Sequence, residues 1–457
     1  MTGIFAHRAL LPEGWADRVR LTFDEAGFIT SVESGAAAQA TDMDLGSGIL
    51  LPAPANLHSH AFQRAMAGMT EHRSGRQDDF WSWRTLMYRF LDLLTPDAVE
   101  AIAALAYVEM LEAGYAAVGE FHYVHHQPGG APYDDIARLS QSIFAAAAST
   151  GIGLTHLPVL CSHGGAGGAG LTGGQLRFGC DSERFARLFE AASDAVRDGP
   201  ADWAIGIAPH SLRAILPEQL TEAVALVPDG PIHIHIAEQQ KEVRDVEAWL
   251  GARPVEWLLD HAPVDARWCL VHATHMSAAE TRALAQSGAV AGLCPITEAN
   301  LGDGAFNGRL YLADGGRFGV GSDSNIRIAL SEELRQLEYS QRQRHEARNV
   351  LAASDRSTGR LLYGKALDGG ARALKRDSGA LAAGLLADLV SIDGDALALC
   401  ALSDDQILDG WIFAADDRLV RDVWSAGRHC VTGGRHRMRD AVDGNYRRVM
   451  KALIEAL

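Results

Sequence analysis

Four separated stretches of this sequence end in side chains of the kinds that bind metal ions. They are His58-Ser59-His60, His235 with Glu238 three residues later, His272, and Asp323. Each stretch follows an apolar run that predicts a buried strand. Imidazole and carboxylate groups can hold a catalytic zinc ion and leave a position for water, and a nearby glutamate can move the protons of that water. The pattern predicts a hydrolytic metal centre.

The spacing within these stretches predicts which residues bind the ion. His58 and His60 are two residues apart on one strand, so both imidazoles face the same side. His235 is the predicted ligand rather than His233, because Glu238 follows it at His-x-x-Glu spacing; His233 is expected one layer deeper. The predicted ligands of a single ion are His58, His60, His235 and Asp323.

The remaining polar residues at the predicted strand ends could have more than one role. His272 is either a ligand or a group that orients the nucleophile; the second role is favoured, because three histidines and an aspartate already fill a mononuclear site. The fourth strand ends at His210 and offers no bridging lysine, so one metal is expected. The predicted catalytic residues are Glu238, His272 and Asp323. Three further histidines are expected to be pocket or surface residues rather than a second metal site: His122, His125 and His126.

Composition narrows the function classes. The chain has 457 residues and a formal net charge of −17, which disfavours binding to nucleic acid or anionic membranes. Six cysteines are scattered singly, a pattern typical of reduced thiols. The first residues do not resemble a signal peptide, and no apolar run approaches the roughly 18 residues of a membrane helix. We expect a cytoplasmic protein.

The elements that must position the site are predicted from alternating patterns. Apolar runs at 116–121, 153–160, 203–208, 232–236, 268–272, 290–294 and 318–323, with the run before His58, make eight strands. Helical periodicity separates them, as at 96–113 and 181–198. This alternation predicts a (β/α)8 barrel over residues 50–375, a doubly wound sheet being the weaker choice. In such barrels chemistry lies at the carboxyl ends of the strands, where all four metal-binding stretches fall.

The sequence pattern at both ends of the chain differs from that of the predicted barrel. Residues 1–49 and 376–457 contain short alternating strands, which predict that the two termini meet in one small β-sandwich domain, with a final helix. Residues 164–174 are rich in glycine and formally match the dinucleotide pattern GxGxxG. No helix opens on these glycines, so a mobile loop or lid is the favoured interpretation.

Beyond the metal-binding residues, the chain resembles the amidohydrolase superfamily and, within its mononuclear deaminase branch, the formimidoylglutamate deiminases. The resembling segments are 51–62, 62–65, 81–84, 208–213, 294–304 and 384–390, and Ile296 departs from the threonine expected there. The resemblance covers the whole chain. It implies a barrel flanked by a sandwich from both termini, one zinc ion per chain and a homodimer. Ligand types alone leave iron(II) and manganese(II) open.

The same resemblance implies a small anionic substrate. N-formimino-L-glutamate would be hydrolysed to N-formyl-L-glutamate and ammonia, a step of histidine degradation. The residues that it assigns to the substrate pocket are Gln63, Arg84, Tyr123, His210 and Arg213. Two arginines suit a substrate with two carboxylates, because each guanidinium can bind one carboxylate through two hydrogen bonds.

Three alternatives remain at this point. A deaminase of the same branch could act on a guanidine, purine or triazine, although neutral heterocycles do not require two arginines. A non-catalytic barrel would have lost metal ligands, whereas every ligand is present here. Cleavage of the substrate to glutamate and formamide would break the other C–N bond, and product analysis distinguishes it.

Overall fold

The computed structural model describes residues 2–72 and 80–457. Its strands, in chain order, are β1 (Thr2–Leu11), β2 (Gly14–Phe23), β3 (Ile29–Glu33), β4 (Met43–Asp44), β5 (Gly48–Pro52), β6 (Ala55–Ser59), β7 (Ala117–His122), β8 (Gly153–Leu160), β9 (Ala204–Ile205), β10 (Ala208–Pro209), β11 (Ile232–Ile236), β12 (Trp268–His272), β13 (Val290–Leu293), β14 (Arg317–Val320), β15 (Leu389–Asp393), β16 (Val420–Ser425), β17 (Arg428–Thr432) and β18 (Arg435–His436).

Helices follow most of the strands. They are α1 (Phe80–Leu91), α2 (Pro96–Glu112), α3 (Arg138–Thr150), α4 (Ser182–Arg197), α5 (Pro217–Ala225), α6 (Gln240–Leu250), α7 (Pro254–His261), α8 (Ala278–Ser287), α9 (Pro295–Leu301), α10 (Gly308–Ala313), α11 (Leu330–His345), α12 (Thr358–Ala373), α13 (Asp405–Asp409) and α14 (Arg439–Ala456). Short 3-10 turns occupy Ala61–Met66, Gly173–Phe178 and Asp417–Leu419, and a π-helical turn occupies Gly410–Ala414. In the described ranges, no helix is both long and apolar enough to cross a membrane.

Strands β6 to β14 form the predicted barrel. One parallel sheet has the order β10-β8-β7-β6, with β9 also on β8, and a second has the order β11-β12-β13-β14. Parallel bridges from Ser59 to Asp323 and from Ile207 to Ile232 join the two sheets at both seams. The eight-stranded (β/α)8 barrel is therefore confirmed, and the closing bridge at Asp323 brings two metal-binding stretches side by side.

The fourth strand differs from its prediction. The run 203–208 forms two short pieces, β9 and β10, rather than one strand. The reason is a change of partner in mid-run: Gly206 N donates to His156 O of β8 at 3.0 Å, whereas Ile207 N donates to Pro231 O beside β11 at 3.0 Å. A Cβ at Gly206 would lie 2.2 Å from Pro231 O, so only glycine permits this close approach.

Strand β11 shows how sequence alternation positions the site. Its isoleucines belong to the large hydrophobic core of the barrel, whereas His235 lines a cavity at the strand end. Successive side chains of a strand point to opposite faces, and barrel strands bury both faces. The Ile-His-Ile-His-Ile pattern thus turns two imidazoles inward and packs three isoleucines outward.

The two predicted helices are present as α2 and α4. Thr95 begins α2 by accepting from Ala98 N at 3.2 Å, and Pro96 occupies its first turn, where a missing N–H costs nothing. Asp181 begins α4 by accepting from Arg184 N at 2.8 Å. These caps satisfy backbone donors that would otherwise lack partners, so both helices begin where the sequence indicates.

Strands from both ends of the chain form one nine-stranded sheet. The order is β18-β17-β16-β15-β5-β1-β2-β3, and β4 pairs with β1. Residues of both halves, among them Leu21 and Trp424, share one hydrophobic cluster. The predicted union of the termini in a sandwich-like β-unit is confirmed. The boundaries 1–49, 50–375 and 376–457 stay a prediction.

A buried ionic network fastens this sheet to the barrel. Arg376, with a side chain 4% exposed, donates to both carboxylate oxygens of Asp388 at 2.6 and 2.9 Å. It also donates to Asp202 Oδ2 at 3.1 Å, and Arg428 donates to both oxygens of Asp202 at 2.8 and 2.7 Å. Each buried charge is thus paired and hydrogen-bonded, as burial requires.

We expect Arg376→Ala to lower the free energy of unfolding by about 3–5 kcal/mol, because it leaves buried carboxylates without their main partner. Urea denaturation followed by circular dichroism measures this change. The matched control is Arg418→Ala: Arg418 pairs with Asp416, but its side chain is 90% exposed, so the loss should stay below about 1 kcal/mol. Equal losses in the two variants would contradict a structural role for the network.

Candidate metal centre and active site

The four predicted metal ligands lie together at the carboxyl ends of the barrel strands. Asp323 Oδ1 lies 3.3 Å from the Nε2 atoms of both His58 and His60. His235 Nε2 lies 3.1 Å from His58 Nε2 and 3.3 Å from His60 Nε2. Three imidazole nitrogens and one carboxylate oxygen therefore converge on one point, and all four residues are buried.

This arrangement fits a divalent metal ion. Ligands about 2.0–2.1 Å from one ion at the corners of a tetrahedron would lie about 3.3–3.4 Å apart, close to the donor separations of 3.1–3.3 Å seen here. Three nitrogens and one anionic oxygen are a donor set that zinc, iron(II) and manganese(II) accept. These four residues therefore fit the divalent metal ion that the sequence predicts.

Hydrogen bonds fix two of the imidazoles with their Nε2 lone pairs directed inward. His60 Nδ1 donates to Phe121 O at 2.9 Å, and His235 Nδ1 donates to His210 O at 3.2 Å. Burial lowers the pKa of His58 to about 3 and holds the pKa of His60 and His235 below the usual range. Neutral imidazoles held in this way are the form that binds metals.

Asp323 is the anionic member of the group. Burial opposes its ionisation, but the hydrogen bond with His58 and the proximity of His60 outweigh that effect, so the pKa of Asp323 lies below its usual range. A carboxylate that stays ionised in a buried site is the natural counter-charge for a cation.

Strained backbone positions the site residues. Ala237, His272 and Asp323 have positive φ values of 51°, 66° and 45°, a conformation that costs non-glycine residues about 1–3 kcal/mol each. All three lie at or just beyond the ends of barrel strands. Such strain persists only where surrounding contacts impose it, and it concentrates at functional sites.

Asn56 and Asn325 supply the contacts that impose it beside Asp323. Asn325 Nδ2 donates to His60 O and Asp323 O, both at 3.1 Å. Asn56 Oδ1 accepts from Ser322 N at 3.0 Å. Neither asparagine was predicted as a site residue; the Gly-Ser-Asp-Ser-Asn stretch that contains Asn325 was the only signal for it.

Glu238 and His272 face each other next to the metal ligands. Glu238 Oε1 lies 3.9 Å from His272 Nε2. Glu242 holds the turn that carries Glu238, because its carboxylate accepts from the backbone N–H groups of Ala237 at 3.1 Å and Glu238 at 2.9 Å. The turn after β11 thus presents the Glu238 carboxyl to the cavity at a fixed position.

The charges of this pair are set by their surroundings. Burial raises the pKa of Glu238 to about 7, against the opposing effects of His272 and Arg213. For His272, burial disfavours the charged ring, but Glu238 and Glu298 outweigh it and raise its pKa to about 10. A carboxyl group with a pKa near neutrality can both accept and donate a proton.

All five predicted substrate-binding residues line the cavity that His60, His235, Glu238, His272 and Asp323 also line. These five residues are Gln63, Arg84, Tyr123, His210 and Arg213. Gln63 Nε2 donates to Tyr123 OH at 2.6 Å, which ties the turn after β6 to the end of β7. The structure thus brings together every residue that the sequence nominated for substrate binding.

The two arginines reach the cavity from different elements. Arg84 lies on α1 and hydrogen-bonds Tyr88 OH, whereas Arg213 follows β10 and is buried. Burial and the charge of Arg213 lower the pKa of the Arg84 guanidinium. Two cations close enough to repel each other favour an anion between them. The side chain of Trp81, in the same segment as Arg84, lies outside the described part of the structure.

The cavity also contains residues that the sequence analysis missed. They are Trp83, Met87, Cys161, His163, Gln175, Phe178 and Ser324, among others. Cys161 and His163 directly follow β8, so the rule that chemistry lies at strand ends could have found them. Nothing comparable marked Gln175 or Phe178, which reach the cavity from a 3-10 turn.

His233 lies apart from the metal cluster, as predicted. Its Nε2 donates to Ala373 O at 2.8 Å.

The glycine-rich segment 164–174 runs from β8 towards the turn at Gly173–Phe178, and no α-helix begins in it. A Cβ at Gly174 would lie 3.1 Å from the Tyr88 side chain, so this segment packs against α1. Its closure over a substrate stays a prediction.

The predicted placement of His122, His125 and His126 at the pocket or the surface was wrong. All three are buried, and none is among the cavity-lining residues just described. His125 Nε2 donates to Val159 O at 3.0 Å, and His126 Nε2 donates to Gly179 O at 2.9 Å. The chain after β7 is also bonded to the turn at Gly173–Phe178, because His125 N and His126 N both donate to Arg177 O. The imidazoles of His125 and His126 thus serve as donors to interior carbonyl groups.

Comparison with known proteins agrees with this geometry. Residues 49–430 match the model of the amidohydrolase family, and residues 1–44 match that of the N-terminal domain of formimidoylglutamate deiminase HutF. The formimidoylglutamate deiminase of Pseudomonas aeruginosa is 51% identical over 438 residues, which cover 95% of this chain and 96% of that protein.

Solved structures extend the comparison to three dimensions. An amidohydrolase from Brucella melitensis is 50% identical with a TM-score of 0.95, covering 99% of this chain and 100% of its own. An adenosine deaminase from Xanthomonas campestris, solved with bound zinc, has a TM-score of 0.83 at 22% identity over 99% of this chain and 98% of its own, and so shares the fold. From the matched models and the identity over nearly its full length, the chain belongs to the amidohydrolase family and, within it, to the formimidoylglutamate deiminases.

Proposed function

We propose that this protein hydrolyses N-formimino-L-glutamate to N-formyl-L-glutamate and ammonia, a step of histidine degradation. The observation that carries this proposal is the composition of one cavity. Two guanidinium groups, Arg84 and Arg213, share it with the Glu238–His272 pair and with the metal ligands Asp323 and His235. A substrate with two carboxylates and a formimino group needs both kinds of group at once.

The arginine side of the cavity is suited to hold the glutamate part of the substrate. Each guanidinium can bind one carboxylate through two parallel hydrogen bonds. Gln63, Tyr123 and His210 offer further hydrogen-bonding groups in the same cavity. The rings of Tyr123 and His210 lie 4.7 Å from His60 and 5.1 Å from His235, so a substrate bound to the arginines would have its formimino group close to the metal ligands and Glu238.

Hydrolysis would proceed at the formimino carbon. A divalent ion held by His58, His60, His235 and Asp323 supplies, when bound, a hydroxide nucleophile near neutral pH. Glu238 carries a proton to the terminal nitrogen of the formimino group while the new C–O bond forms. The remaining proton of the added hydroxyl then moves to the same nitrogen, the C–N bond to it breaks with its electron pair going to nitrogen, and ammonia leaves as the carbonyl of N-formyl-L-glutamate forms. Burial raises the pKa of Glu238 above its usual value, which suits its carboxyl group to this transfer.

His272 and Asp323 would complete the chemistry. The charged ring of His272, whose pKa is raised to about 10, stabilises the negative charge that develops on the tetrahedral adduct. Asp323 accepts the first proton of the attacking water. Asp323 Oδ1 belongs to the group of donor atoms that would hold the ion, which suits it to this role.

We further propose zinc as the native ion, one per chain, in line with the donor set of three imidazoles and one carboxylate. Iron(II) and manganese(II) suit the same donors, so metal analysis of the purified protein decides between them. A homodimer and a cytoplasmic location stay predictions; light scattering in solution and cell fractionation test them.

The function predicts ammonia release from N-formimino-L-glutamate by the zinc-loaded protein, with N-formyl-L-glutamate identified by mass spectrometry. Removal of the metal by a chelator should abolish the reaction, and added zinc should restore it. Formamide together with glutamate would show that the other C–N bond breaks. A metal-loaded protein that releases no ammonia from this substrate, but does from a guanidine, purine or triazine, would contradict the substrate assignment.

Glu238→Gln should keep the metal and lose turnover by about 10²–10⁴-fold, because the amide cannot transfer the proton. Ammonia release measures the rate, and inductively coupled plasma mass spectrometry measures the metal. His235→Ala is the comparison variant and should lose the metal itself. Turnover by Glu238→Gln at the level of the unaltered enzyme would remove Glu238 from the proton transfer.

Arg213→Ala should lower kcat/KM by a factor that corresponds to about 2–4 kcal/mol, roughly 30- to 900-fold, since it leaves a substrate carboxylate without its partner. Steady-state kinetics with N-formimino-L-glutamate measures it. Arg244→Ala is the matched control, because Arg244 is exposed on α6 and should leave kcat/KM unchanged. An equal effect of both substitutions would point to overall charge rather than direct binding.

A further inference from the structure

Glu298 lies behind His272 and has no part in the reaction as derived so far. It is buried in the first turn of α9. Glu298 Oε1 lies 3.3 Å from His272 Nδ1 and also accepts from Cys294 N at 2.9 Å. Burying a carboxylate in a protein interior is costly unless its oxygens are hydrogen-bonded, and these two contacts use one oxygen twice.

The position of Glu298 is itself fixed. Pro295 begins α9, and Cys294 N–H is bonded back to the Glu298 side chain. At the other end of the helix, Asp303 N donates to Glu298 O at 2.9 Å, and Asp303 hydrogen-bonds the side chain of Gln239, next to Glu238. The helix is therefore tied to both partners of the Glu238–His272 pair.

The backbone of His272 is paired with Ile236 of β11, but this pairing does not fix the orientation of its imidazole ring. His272 ends β12 with a positive φ of 66°, and Ala273 follows with 49°. An imidazole on such a turn needs a side-chain partner to define its orientation, because its two nitrogens can exchange places by ring rotation. The Nδ1–H donated to Glu298 prevents this exchange and leaves Nε2, the atom 3.9 Å from Glu238 Oε1, facing the cavity.

We propose that Glu298 is a positioning residue of this active site: through its hydrogen bond with Nδ1 it keeps His272 Nε2 directed at the reacting groups. The proposal deepens the deimination described above and rests on it. Glu298 touches neither substrate nor metal in this scheme, and its whole effect passes through His272.

A second metal site is the competing explanation for the same residues. The donor atoms of His272, Cys294 and Glu298 all lie within 4.8 Å of one another. However, Glu298 Oε1 already accepts two N–H groups, and burial raises the pKa of the Cys294 thiol well above its usual value, which disfavours the thiolate that binds metals. The cluster is a hydrogen-bonded support and not a ligand set.

A double-mutant cycle tests the proposal with zinc-loaded protein and N-formimino-L-glutamate. Glu298→Met, which keeps volume but removes the acceptor, should lower kcat about 10- to 100-fold with KM and metal content unchanged. Glu298→Gln should recover most of this loss, because Cys294 N–H keeps the amide oxygen towards His272 Nδ1. In a His272→Asn background, Glu298→Met should have no further effect on kcat, since its partner is gone.

The control is Glu333→Gln. Glu333 is also buried and also holds α9, accepting from Ile296 N at 2.9 Å, so its substitution should leave kcat unchanged. Independent, multiplying effects of the His272 and Glu298 substitutions would overturn the proposal, as would equal losses in Glu298→Gln and Glu298→Met. Should Glu298→Met fail to fold, Glu298→Ala takes its place in the cycle. Ammonia release by the unaltered enzyme in the same assay tests the proposed function. That test is separate from the kcat ratios of the variants, which test the role of Glu298.

Discussion

The convergence of three neutral imidazoles and one carboxylate on a single point is the constraint on which this structure depends. These four ligands come from three strand ends that are far apart in the chain. Even so, the donor atoms of His235 and Asp323 each lie 3.1–3.3 Å from those of both His58 and His60. Bringing these polar groups out of water costs free energy. That cost is offset by backbone acceptors for the imidazole N–H groups of His60 and His235 and by the hydrogen bonds of Asn56 and Asn325. Closure of the barrel between Ser59 and Asp323 is therefore as much a requirement of the site as of the fold.

Side chains of both charges share the cavity. Arg84 and Arg213 contribute two guanidinium groups in a protein whose net charge is −17, and Glu238 and Asp323 contribute carboxyl groups to the same lining. Electrostatic interactions are strong in such a buried space because little water screens them. A dianionic ligand would relieve the repulsion between the arginines, and its reacting end would then lie against Glu238. Recognition and chemistry thus depend on one another through the position of the substrate charges.

The parts of the site that sequence reasoning predicted are those tied to strand ends. Sequence reasoning could predict His58-x-His60 and His235-x-x-Glu238, because strand periodicity is regular and the carboxyl ends of parallel strands meet. Glu298, Asn56 and the buried His125 were not assigned their roles, since each acts through a partner more than twenty residues away, which no local pattern records. The split of the fourth strand at Gly206 was missed for the same reason: it results from a contact with Pro231, just before the neighbouring strand β11.

The pairing of β5 with β15 has a consequence for how the protein is made. Ile49 lies opposite Ile392 in this ladder, so the sheet of the termini cannot be completed until the whole barrel between these two residues has been synthesised. Until then β5 presents an open edge of apolar residues, a known hazard for association with other chains. Contacts so distant in sequence also slow folding, because the closing loop is long. All strands of the barrel, β6 to β14, are thus available before the sheet of the termini can be completed.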